Sequence, residues 1–144
     1  MSAEQNVQLM RRWFQEVWNE GRIETVYELF SPEAIAHGQE GAEGEIHGPE
    51  EFVRFVQKIR GAFSEMQLTV EDVFATDDRG ALRWSSVMTH NGETLGMPAS
   101  GRTVRVRGVT LVRFANGKIV EGWDNWDELG MLQQIGALST PLAA

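Results

Sequence analysis

The sequence has no cysteine among its 144 residues. That excludes disulfides, a thiol nucleophile and any thiolate metal site, and it agrees with a reducing cytoplasm. No apolar run is long enough to span a bilayer, and no basic-then-apolar leader opens the chain, so neither a membrane span nor a secretory signal is predicted. Positive charge is in the minority: 13 Lys and Arg stand against 21 Asp and Glu, a net charge of -8. The basic residues are scattered, apart from a modest cluster at Arg102, Arg105 and Arg107. This balance disfavours nucleic acid or an anionic membrane surface as the main partner. Serine-nucleophile motifs and a dinucleotide fingerprint are absent. "GMPASGR" lacks the spacing of a phosphate loop and reads as a hairpin connection at the rim of a pocket.

What remains is an ordinary globular composition, 42% hydrophobic and 24% charged. The length suits one domain over 1–144 with a single core. Val7, Met10, Phe14 and Val17/Trp18 recur at helical spacing, and "NEG" at 19–21 should end that helix. A short second helix follows through Ile23, Val26, Tyr27 and Phe30, broken at Pro32. Residues 34–48 read as a loop with short extended pieces near His37 and His47. Pro49, Glu50 and Glu51 open a third helix whose apolar stripe is Phe52, Phe55/Val56, Ile59 and Phe63. The rest reads as strands: "MQLTVEDVFA", "ALRWSSVMTH", "TVRVRGVTLVRF" and "KIVEGWDNW", followed by a short helical segment "DELGMLQQIG" with Asp127 as its N-cap. Helices followed by an antiparallel meander predict an α+β fold, one sheet covered on one face by the N-terminal helices.

The last hairpin decides which way Asp124 points. A two-residue loop, Asn116-Gly117, would put Val109 opposite Asp124. A three-residue loop, Ala115-Asn116-Gly117, would pair Phe114 with Lys118, and place Gly108 opposite Asp124, Thr110 opposite Gly122, Val112 opposite Val120 and Val106 opposite Trp126. One residue of slip exchanges the faces. The three-residue loop is favoured, because it gathers Val104, Val106, Val112, Phe114, Val120 and Trp126 on one face and sends Arg105, Arg107, Arg113, Glu121 and Asn125 to the other. Asp124 is then the single charge on an apolar face, flanked by Gly108 and Gly122. Glycines inside strands leave room for a ligand or a close backbone. A carboxylate buried without a counter-charge has its pKa raised, which suits a general base or acid near neutral pH. The plainer reading is a structural Asp bonded to loop amides.

The three histidines, His37, His47 and His90, lack the spacing for joint metal ligation. His37 and His90 sit in segments that could reach the open end of a helix-covered sheet and, beside Asp124, could shuttle a proton. Five tryptophans suit core packing, and several aromatics around one acid also suit a flat hydrophobic ligand.

"WNEGRIETVYELFSPEAIAHG", "IHGPEEFVRFVQKIRGAFSEMQLTVEDVFA" and above all "GVTLVRFANGKIVEGWDNWDELGMLQQIG" carry a resemblance. Over about residues 5–136 the chain resembles the SnoaL-like polyketide cyclase, or ester cyclase, family of the nuclear-transport-factor-two-like superfamily. The resemblance implies a cone-shaped α+β barrel with a curved antiparallel sheet, an interior pocket and a homodimer formed through sheet faces. It implies ring closure by intramolecular aldol condensation without metal or organic cofactor. The family's acid/base Asp falls on Asp124, a pocket histidine on His37, and another frequent position on His90. Thr110 stands where polyketide cyclases carry a histidine. The expected site is thus Asp124, His37 and His90 as acid/base groups, with Phe14, Trp18, Trp84, Met97, Gly108, Thr110 and Trp126 around a small hydrophobic substrate. Two other readings stand beside it. One is epoxide hydrolysis with an Asp-Arg-Asp set, which the two-residue loop would favour by bringing Arg107 to Asp124. The other is a non-catalytic domain that holds a small ligand or only dimerises.

Overall fold

A computed structural model of the chain describes residues 2–41 and 43–138. Helix α1, Ala3–Trp13, starts from a capping box: the Ser2 hydroxyl accepts from the Gln5 N–H and the Gln5 side chain accepts from the Ser2 N–H. From Phe14 to Asn19 the helix widens to π geometry, with the Glu20 N–H donating to the Gln15 carbonyl at 3.0 Å. Phe14 and Trp18, four residues apart and so on one face, both overlie the cavity beneath. Helix α2, Ile23–Leu29, and helix α3, Gly48–Ala62, complete the helical layer, α3 carrying Pro49 in its first turn as predicted.

Six strands form one sheet in the order β2-β1-β6-β5-β4-β3. They are β1 Phe30–His37, β2 Glu45–His47, β3 Phe63–Ala75, β4 Arg79–His90, β5 Thr103–Ala115 and β6 Lys118–Trp126. The four C-terminal strands are antiparallel neighbours, as the sequence predicts. The sheet as a whole is mixed, because β1 runs parallel to β6. This corrects the reading of "SPEA" as a break and of residues 34–48 as mainly loop. Pro32 has no N–H to give a ladder, but the pairing is interrupted between Phe30 and Ile35, so none is needed there. Short β4 alternation (Leu82, Trp84, Ser86, Met88 and His90 buried) turns the even-numbered side inward. The aromatic core lies between this face and the helices, with Trp13, Phe30 and Phe52 mutually 5.1–5.8 Å apart between ring centroids. Burying each such ring contributes about 1.5–3 kcal/mol.

The β5–β6 hairpin combines both predicted alternatives. Its loop has two residues, Asn116 and Gly117, both at positive φ (53° and 74°), the type I′ geometry. Ala115 pairs with Lys118 and Phe114 with Ile119; then a bulge at Val120 restores the parity of the longer loop. Val120 therefore leaves the inner face and Ile119, buried, takes that place. The faces come out as expected, but the partners are shifted: Thr110, not Gly108, lies opposite Asp124, and Gly108 lies opposite Trp126. Helix α4, Glu128–Gln134, is capped by Asp127, whose carboxylate accepts from the Gly130 N–H at 2.9 Å. Among the described residues no helix is long and apolar enough to cross a membrane.

Candidate active site

Between sheet and helices lies a cavity in two compartments. The β3-side compartment is walled by Phe55 and Ile59 of α3, Met66 and Leu68 of β3, and Met88 of β4. The β1-side compartment is walled by Trp13, Phe30, Phe52 and Ile119, with Gln39 contributing a polar group. Their cavity volumes are about 60 and about 40 Å³, and both have mouths open to solvent. Phe14, Trp18 and Asp124 line both, so the two meet at Asp124.

Asp124 stands in mid-β6 on the inner face. Its Oδ1 accepts a short hydrogen bond from the Thr110 hydroxyl directly across the ladder. Thr110 in turn accepts from the Trp84 indole N–H at 3.2 Å. This chain fixes one carboxylate oxygen. Among the described residues no protein group bonds the other oxygen, Oδ2, and no Lys or Arg pairs with the carboxylate. Asp124 is half-buried and lines both compartments. Burial pushes its pKa up to about 6, against the opposing pull of Thr110 and Trp84 on the charged form. Relative to the ordinary value of 3.8, that costs the charged folded state on the order of 3 kcal/mol. A carboxylate with one anchored oxygen, one free oxygen and a pKa near neutrality is equipped to take a proton from a ligand and return it.

The structure does not bring either histidine to Asp124. His37 lies on the outer face of the sheet: inward on β1 are Ala34 and Ala36, and His37 pairs in register with the outward Trp123. Its ring stacks on Trp123 at 5.5 Å, its Nε2 lies 2.8 Å from Glu121, and its Nδ1 lies 3.4 Å from Glu45. That hydrogen bond from His37, assisted by Arg113, holds the Glu121 carboxyl below the usual carboxylate range. His90 does face inward and is fully buried, but it stands eight residues along β4 from Leu82, the partner of Thr110, roughly 26 Å of strand. Its Nδ1 accepts from the Ser100 N–H at 3.1 Å and lies 2.8 Å from the Ser100 hydroxyl, tying down the 91–101 connection. Met97, in that connection, packs on the core and lines neither compartment. Arg105 and Arg107 are exposed on the outer face, because the Val120 bulge cancels the slip that the two-residue loop would have caused. The Asp-Arg-Asp set required for the epoxide reading is not assembled around Asp124 among the described residues.

The SnoaL-like polyketide cyclase family matches residues 8–135. The chain belongs to that family. An aklanonic acid methyl ester cyclase of Streptomyces peucetius is 31% identical over 132 residues, covering 90% of both chains. A second aklanonic acid methyl ester cyclase, from Streptomyces sp. (strain C5), is also 31% identical, over 90% of this chain and 81% of its own. Among solved structures, a protein of Jannaschia sp. CCS1 assigned to the SnoaL-like polyketide cyclases superposes with a TM-score of 0.84 at 26% identity, over 94% of each chain. IdmH of Streptomyces antibioticus superposes at 0.75 with 29% identity, over 90% of this chain and 96% of its own.

Within this SnoaL-like fold the two flanking glycines serve different ends. A Cβ on Gly108 would lie 2.7 Å from the Trp84 ring and 2.9 Å from the Trp126 Cβ, so Gly108 makes room for two indoles. A Cβ on Gly122 would meet nothing closer than 3.7 Å, and Gly122 lines the β1-side compartment as open floor. Phe14, Trp18, Trp84, Thr110 and Trp126 line the cavity where the sequence placed them. The α3 stripe gave notice of Phe55 and Ile59, although only as core. Gln39 gave none, standing in a Gly- and Glu-rich stretch with no periodicity.

Proposed function

We propose that the protein is an acid/base enzyme of cyclase type, which closes a ring in a flat, hydrophobic polycarbonyl compound by an intramolecular aldol reaction. The observation that carries this reading is a carboxylate with one oxygen held by Thr110 and, among the described residues, no charged partner, at the junction of two apolar compartments; burial there pushes its pKa up to about 6. Asp124 Oδ2 takes a proton from the carbon next to a carbonyl. The C–H pair becomes the enolate double bond, and the carbonyl π pair moves onto oxygen. The enolate carbon then attacks a second carbonyl carbon of the same molecule, forming one C–C bond. The new alkoxide recovers the proton from Asp124, so substrate and product are isomers and no electrons are exchanged with a third party. Apolar walls fold the substrate and keep water from quenching the enolate. The relatives' action on aklanonic acid methyl ester supports a polyketide-type substrate.

Aklanonic acid methyl ester is therefore the first compound to incubate with the protein. Ring closure is expected, with kcat/KM rising tenfold per pH unit below about 6 and flat above it, since the base must be ionised. A rate independent of pH between 4.5 and 8 would remove Asp124 from the role of base. The outer sheet face supports a homodimer: Phe74, Val109 and Leu111 are exposed there at 66%, 44% and 50%. Sedimentation at micromolar concentration is expected to give twice the chain mass of 16.2 kDa; a monomer would contradict it.

A further inference from the structure

Gln39 is 5% exposed, and among the described residues its buried Oε1 has no hydrogen-bond partner. A buried amide oxygen left unpaired costs about 1–3 kcal/mol. Here the cost is incurred in a segment held from several sides. The Gln39 carbonyl accepts from the Trp126 indole N–H at 3.0 Å. The Gly38 N–H donates to the Gly44 carbonyl at 3.1 Å, and the Gly41 N–H to the Glu128 carboxylate at 3.1 Å. Gly38, at φ +87°, presses against the Asp124 carbonyl so closely that a Cβ would lie 2.2 Å from it. The backbone thus delivers the Gln39 carboxamide to the compartment it shares with Asp124 and Thr110, whose other walls are apolar.

We propose that Gln39 binds the oxygen of the reacting carbonyl. The β1-side compartment takes the carbonyl end of the substrate, and the β3-side compartment takes its hydrocarbon part. This inference rests on the acid/base reading of Asp124. A carboxamide turns either its N–H or its oxygen toward a ligand by rotating half a turn. Its N–H donates to the carbonyl oxygen, and to the enolate oxygen once Asp124 has removed the proton. A donor that strengthens as charge develops raises kcat more than it lowers KM.

The probe pair is naphthalene and 2-naphthol, a flat hydrocarbon and its enol-like analogue, with binding read from tryptophan fluorescence at pH 7. The full chain is expected to bind 2-naphthol on the order of tenfold tighter than naphthalene, and Gln39→Leu and Gln39→Met are expected to bind the two alike. Both variants are expected to melt at or above the parent temperature, since they remove an unpaired polar group; a purely structural Gln39 would instead lower it. A hydroxyl preference that survives in both variants, or is missing from the parent, overturns the assignment of Gln39 while leaving Asp124 untouched. Failure of naphthalene itself to bind contradicts the apolar-cavity reading beneath both. With a turned-over substrate, Gln39→Leu is expected to lose about 10²–10³-fold in kcat with KM changed little; unchanged kcat overturns the assignment.

Discussion

Asp124→Asn is expected to be inactive and, at pH 7, more stable than the parent. The two effects share one cause. Asn fills the same volume, and its Oδ1 still accepts from the Thr110 hydroxyl, but it has no charge to desolvate and no proton to exchange. Turnover should fall by at least about 10³-fold, the scale of a lost general base. The folded-state pKa of Asp124, about 6, lies above the ordinary 3.8, so between those values the folded protein holds more proton than the unfolded chain. That group's contribution is fully present below pH 3.8, declines as pH rises through 6, and is gone above it. Asn is exempt from the decline. Its advantage should therefore be about 3 kcal/mol at pH 7, roughly 6–12 °C in Tm, and should vanish near pH 3.5. Thermal melts of both proteins across pH give this difference directly. Other carboxylates with shifted pKa values, such as Glu121, are common to the two proteins and cancel. A variant less stable than the parent at pH 7 would mean that the carboxylate is a structural anchor.

Gly38→Ala is the second large effect. Gly38 combines a φ of +87° with a backbone contact that leaves 2.2 Å between any Cβ and the Asp124 carbonyl oxygen. A left-handed alanine costs about 1 kcal/mol, and the overlap adds more, because β1 and β6 are laddered together and neither backbone is free to retreat. A loss of about 3 kcal/mol or more is expected, with Tm down by roughly 6–12 °C and activity impaired through displacement of both Gln39 and Asp124. Gly41→Ala is the control: its φ is +89°, but among the described residues nothing lies within 4 Å of the added Cβ, so only the strain of about 1 kcal/mol is expected. Equal losses in the two variants would deny the close contact any part in positioning the site.

Asp124 was legible in the sequence because β5 alternates strictly, which fixes its inner face, and because the favoured loop parity puts Asp124 of β6 on that face. The pairing was not legible, because the Val120 bulge interrupts the ladder without leaving a mark in composition. Its consequence is chemical: after the two-residue loop it puts Thr110, rather than Val109, against Asp124 and keeps Arg107 away from it. Strand β1 escaped notice because Pro32 and the acids around it look like a break, and a segment without an assigned strand has no assigned faces. The resemblance alone put His37 in the pocket, whereas it lies beside Trp123 on the outer face. His90 was assigned no face, and sequence gives no length scale along a strand until the register is known. Gln39 illustrates the remaining blind spot. A polar residue in a glycine-rich turn becomes part of the site only through tertiary contacts, those of Gly38 with Asp124 and of its own carbonyl with Trp126.

The most direct measurement is the titration of the Asp124 carboxyl carbon by ¹³C NMR, its resonance assigned by its disappearance in Asp124→Asn. A midpoint of about 6 is predicted, from the burial of a carboxylate with one free oxygen among apolar walls. A midpoint near 3.8 would place that side chain in ordinary solvent and contradict the account.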